Sequence, residues 1–139
     1  MATIAATKTA IGTLLSGVTG IKRVYTTAPN SIVPADLPAA VIYTGPSVYV
    51  ERWYNTQGET RQYIVRIYVL SLQQGVPGEA ESLCEPFLAA VRAAFVDGGR
   101  LSRLSGVLEA RLTGDQGISV LVLGGVSYLG VEIALEVTQ

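Results

Sequence analysis

The chain has 139 residues, with 10 basic and 11 acidic side chains scattered along it for a net charge of −1. No basic stripe is available to neutralise a phosphate backbone, which excludes sequence-specific nucleic-acid binding as a primary task. Charged residues reach only 15% and hydrophobic ones 49%, so a single domain over residues 1–139 lacks the charge to coat itself, and part of its surface is expected to be covered by other protein subunits.

From Thr3 to Val18 the residues Ile4, Ile11, Leu14, Leu15 and Val18 recur at helical spacing, with Gly17 and Gly20 as stop signals, and this predicts a first helix. Ala10 to Val18 is too interrupted by Thr13 and Ser16, with too weak a basic flank, to read as a secretory signal, so the protein is expected to be soluble where it is made. Ile21 to Tyr25 is a short β-prone run. Pro29, Asn30, Pro34 and Pro38 then mark an ordered but irregular crossing loop over Thr26 to Pro38. PAAVIYT, from Pro38 to Thr44, reads as an apolar strand closed by Gly45 and Pro46.

VERWYNTQGETRQYIVRIYVL, from Val50 to Leu70, predicts a hairpin. With Gln57 and Gly58 as a tight turn, Tyr54 falls opposite Arg61, Arg52 opposite Tyr63, Val50 opposite Val65 and Val48 opposite Ile67. That register gives a valine and isoleucine base fit to dock on a core. The tip alternates Arg and Tyr on one face and presents Trp53 on the other. Its second strand, Thr60 to Leu70, would extend roughly 35 Å at ~3.3 Å per residue, about twice the usual strand length.

Ser71 to Gly78 reads as a loop and Glu79 to Phe95 as a second helix, with Leu83, Cys84, Phe87, Leu88, Val91 and Phe95 on one broad face. Pro86 disturbs it. Ser82 and Glu85 have capping-box spacing, so either the main helix starts near Ser82 or a longer helix kinks at the proline. After Asp97, Gly98 and Gly99 come a strand near Gly106 to Thr113, a turn at Gly114 to Gly117 and a strand from Ile118 to Leu123. The last strand, about Val126 to Val137, alternates a buried face of Leu129, Val131, Ile133, Leu135 and Val137 with a wet face holding Tyr128, Glu132 and Glu136. The longest nearly apolar run, Ile118 to Val131, is about 14 residues against the ~20 of a membrane helix. The expected fold is α+β: a mostly antiparallel or mixed β-sheet, two α-helices packed on one face, and a long protruding β-hairpin.

Catalytic and ligand chemistry find little support. The sequence has no histidine, which removes the commonest general base, the commonest metal ligand and any Ser-His or Cys-His pair. Cys84 sits on the apolar helix face and reads as a buried structural thiol. Glu79, Glu81 and Glu85 suit the helix dipole at its N-terminal end better than a carboxylate site. Glu132 and Glu136 share a strand face, where a solvated or subunit-facing edge explains them better than paired catalytic acids. Gly124, Gly125 and Gly130 lead into a strand without a Walker lysine, so a bulge or bend is favoured over a phosphate loop. No catalytic, cofactor-binding or metal residue is expected. Seven of ten aromatics are Tyr and eight of ten basic residues are Arg, types enriched at protein interfaces. Arg52, Trp53, Tyr54, Arg61 and Tyr63 at the hairpin tip are therefore the candidate interface residues.

The first helix, the proline loop before LPAAVIYTGP (Leu37 to Pro46), RQYIVRIYVL (Arg61 to Leu70), EAESLCEPFLAAVRAAF (Glu79 to Phe95) and YLGVEIALEV (Tyr128 to Val137) together resemble the tail terminator proteins of long-tailed bacteriophages, the minor tail protein U class. The resemblance spans nearly the whole chain and rests on element order and alternation; Pro86 is a local departure. It implies a structural virion protein made late and assembled in the host cytoplasm. Such a protein forms a homohexameric ring on the tail tube protein and stops its polymerisation. At the head–tail junction it presents the docking surface for the neck, or stopper, protein, and it meets a sheath or sheath terminator where the tail contracts. DNA would pass through the channel without specific binding, and no membrane or cofactor is implied. A tail tube subunit or head–tail stopper is the alternative, with a small ligand-binding domain behind it.

Overall fold

The computed structural model describes residues 3–51, 57–72, 80–98, 106–107 and 109–139. The chain runs α1 (Ile4–Ser16), β1 (Arg23–Tyr25), a 3-10 turn (Pro34–Asp36), β2 (Ala39–Glu51), β3 (Gln57–Ser71), α2 (Ala80–Gly98), β4 (Glu109–Leu123) and β5 (Val126–Thr138). α1 starts at a threonine cap: the Ala6 N–H donates to Thr3 Oγ1 at 3.1 Å. The hydroxyls of Thr7, Thr9, Thr13 and Ser16 each donate to the carbonyl four residues back, so the helix satisfies its own polar side chains. α2 begins at Ala80 and runs through Pro86, which stands on its exposed side, while Cys84, Phe87, Val91 and Phe95 turn inward. The longer of the two expected helices is the one that forms.

The five strands make one mixed sheet in the order β1-β2-β3-β5-β4. β1 and β2 are parallel and every other neighbour is antiparallel. Both helices lie on one face, where Ile11 and Leu15 of α1 and Phe87 and Val91 of α2 close over Ile42, Val65, Ile67, Ile133 and Leu135. This is the main core, and its α+β arrangement is the one expected. Part of the opposite face is covered too. The crossing loop brings Ile32 and Leu37 over Val41, Tyr68, Leu121 and Tyr128. Tyr128, expected on the wet face, is only 3% exposed. Its ring stands edge-on to Tyr68, with centroids 5.3 Å apart, and its hydroxyl donates to the Ile32 carbonyl.

Two strand boundaries differ from expectation, each for a reason visible in the backbone. Gly45 and Pro46 do not close β2; they form a bulge between Thr44 and Ser47, and the strand continues to Glu51. Gly114 to Gly117 is not a turn; it carries two register shifts inside one unbroken β4, where Asp115 accepts the Gly117 N–H at 2.8 Å. The turn between β4 and β5 is at Gly124 and Gly125, between the strand ends expected at Leu123 and Val126, with φ of 59° and 79° and Leu123 paired to Val126. Two successive positive φ values are those of the hairpin turn whose twist matches the strands it joins.

The opening hairpin departs furthest. Gln57 and Gly58 belong to β3, paired with Glu51 and Val50, and Thr44 rather than Arg52 stands opposite Tyr63. The bulge has a further consequence. Before it, Ala40 and Ile42 face the helices across from Ile67 and Val65; after it, Ser47 stands across from Arg61 and Tyr49 across from Glu59. Because Arg61 and Tyr63 share a face of β3, the extra residue hands the helix side of β2 from even to odd numbers. Tyr49 therefore sits on the helix side and Val48 on the other.

Candidate functional site

The hairpin outruns the sheet. On one side of β3, pairing with β5 ends at Thr60 and Thr138, extended only by the mutual backbone bonds of Glu59 and Gln139 at 3.0 and 2.9 Å. On the other side, β1 covers β2 only from Ala39 to Val41. The outer edge of β2 from Ile42 onward has no strand beside it within the described chain, and neither have the last pairs, Val50 with Gly58 and Glu51 with Gln57. Val48 and Tyr49 are each 67% exposed on this arm. Apolar groups held open on both faces of one projecting strand are a contact surface in search of cover.

A polar cluster fixes the root of the arm. Arg61 donates through Nη2 and Nε to the Glu59 carboxylate at 3.3 and 3.5 Å and through Nη1 to the Gly45 carbonyl at 3.2 Å. Gln139 Nε2 donates to the same carboxylate at 3.0 Å. The pair is largely out of water, with side-chain exposures of 17% for Arg61 and 10% for Glu59. Arg61 thus clamps the bulge to β3, and its charge is spent within the chain. Tyr63 is fully buried in the main core. Its hydroxyl lies beside Thr7 without a well-formed hydrogen bond, and burial pushes the phenol above its ordinary value against the pull of Thr7 and Arg61. Neither residue offers the free tip surface expected of it. Arg52, Trp53 and Tyr54 lie outside the described residues.

The other chemical candidates resolve into structure. Glu132 and Glu136 each take an arginine from a neighbouring strand: Arg66 Nε donates to Glu132 at 2.6 Å and Arg111 Nη2 to Glu136 at 3.3 Å. Arg66 also stacks on Tyr43, 5.2 Å from the ring centroid, and the Tyr43 and Tyr68 hydroxyls meet at 3.0 Å. Cys84 is buried and its thiol is pushed up by desolvation, with Glu81 adding to the shift; that is the opposite of nucleophile activation. Gly130 serves close approach, since a Cβ there would strike the Ile67 carbonyl. Among the described residues no three His, Cys, Asp or Glu side chains gather as metal ligands. No described helix is long and apolar enough to cross a membrane.

One cavity stands at the far edge of the sheet. Between α2 and the bulged part of β4, a pocket of about 210 Å³ has Leu88, Leu112 and Ile133 as its apolar wall and Arg92 and Asp115 as polar groups. A shallower recess of about 550 Å³ runs along α2 past Ala89 and Val96 and shares Leu88, Arg92 and Asp115. Comparison with known proteins gives no match, either to a protein-family model or to a curated protein.

Sequence reasoning missed Val48 and Tyr49: the assumed turn at Gln57 and Gly58 had assigned Val48 to the docked base, and Tyr49 had no assignment. A signal was present. Glycine and proline side by side within an otherwise β-prone run mark a bulge as readily as an end.

Proposed function

We propose that this chain is a structural virion protein, a tail terminator that forms a six-membered ring on the last ring of a phage tail tube, stops its growth and presents the surface that docks the neck. The observation that carries the reading is the clamped arm, which projects beyond the sheet and holds Val48 and Tyr49 open. Such an arm has a use where a neighbour or the tube receives it. The resemblance in element order supplies the particular assembly, and the shortage of charge, 15% of residues, supports repeated burial between subunits. The near-neutral balance suits a channel that DNA crosses without sticking.

A capping assay tests this directly. Added to its cognate tube protein during polymerisation, the chain should end growth and appear once at the tube terminus. Tubes of undiminished length with the chain incorporated along them would favour a tube subunit instead.

A further inference from the structure

We propose that Tyr49 of one copy inserts into the α2–β4 pocket of the next copy, so that the assembly is built from a head-to-tail knob-and-pocket contact. This rests on the ring reading and names the surfaces that make the ring.

Three observations carry it. The first is size: a cavity of about 150 Å³ admits benzene, so a pocket of about 210 Å³ has room for a phenol ring. The second is chemistry. Leu88, Leu112 and Ile133 offer the ring an apolar wall. Arg92 has no hydrogen bond or ion pair among the described residues, which leaves its guanidinium free to lie over an aromatic face. Asp115 uses Oδ1 on the Gly117 N–H and keeps lone pairs to accept from a phenolic O–H. A tyrosine satisfies all three demands together.

The third is position. Tyr49 and the pocket both lie on the helix side of the sheet, Tyr49 because the bulge at Gly45 and Pro46 places it there. They stand on different strands, with β3 and β5 between β2 and β4. At ~4.8 Å per strand that separates the two strands by roughly 14 Å, more than a tyrosine side chain spans. A second copy brings the two together with its helices on the same side as those of the first. Because the two patches are unlike, each copy still offers a free knob and a free pocket, and the contact repeats until rotation closes it.

Two variants separate the halves of the contact. Tyr49→Ala removes the knob from an exposed position, and Ala89→Trp fills the recess that shares Leu88, Arg92 and Asp115 with the pocket, obstructing the approach along α2; circular dichroism checks that both remain folded. Each alone is expected to lose self-association by at least roughly tenfold, as for the removal of an interface anchor. Mixed, they should form a one-to-one dimer that grows no further, since only one knob and one pocket remain competent; Tyr49→Phe should still assemble. Rings of Tyr49→Ala as stable as those of the unaltered chain would overturn the proposal while leaving the ring reading intact. The same holds for a mixture that stays monomeric beside an unaltered chain that forms rings. An unaltered chain that stays monomeric, alone and on tube ends, would overturn both.

Discussion

Tyr63 and Arg61 show how two neighbours on one strand can carry opposite tasks. The Tyr63 hydroxyl is buried without a good partner, so Tyr63→Phe removes a polar group that gains little from folding. Its stability to urea should lie within ~0.5 kcal/mol of the unaltered chain. Arg61→Ala leaves Glu59 charged and desolvated and frees the Gly45 carbonyl; it should cost about 3 kcal/mol, and a loss under ~1 kcal/mol would show that the clamp is not holding the arm. The buried phenols also set an alkaline limit. Burial raises Tyr63, and burial followed by the Tyr43 hydrogen bond raises Tyr68, above the ordinary value of 10.0. Above about pH 10 the unfolded chain gives up protons that the folded chain retains, so this contribution is complete below pH 10 and is lost as pH rises beyond it. Tyr68→Phe should make that alkaline decline shallower in urea titrations across pH 9 to 11.

At the scale of elements, β5 and its neighbours depend on two glycines of very different tolerance. A Cβ at Gly130 meets the Ile67 carbonyl of the adjoining strand, whereas one at Gly114 meets nothing within 4 Å. Gly130→Ala should destabilise by roughly 2–4 kcal/mol and Gly114→Ala by less than about 1 kcal/mol; equal losses in urea unfolding would contradict the account. In α2, Pro86 is exposed and deprives the helix of one N–H, so Pro86→Ala should add about 1–3 kcal/mol. Both helices, the edge strand β1 and the alternation of β5 were legible in the sequence, because burial on one face writes a period into the chain. The hairpin register was not, since glycine at Gly58 fits a turn or a strand equally and only the pairing of Gly45 and Pro46 argued for the longer course. Tyr128 was misplaced because alternation assigns a residue to a face but cannot see that a distant loop, Ile32 and Leu37, covers that face.

Across the whole molecule, a charge-poor surface leaves the part that projects in need of cover. One sheet face carries the helices, the other is partly sealed by the crossing loop, and the arm remains with Val48 and Tyr49 open. The proposed terminator ring gives that arm a receiver, and places knob and pocket on opposite flanks of each copy so that contact repeats around an axis. Imaging the purified protein at high concentration by negative stain, with native mass measured in parallel, tests this most directly. Closed sixfold rings with an open channel, at six times the subunit mass, are the predicted result; open stacks or fibres without closed rings would contradict it.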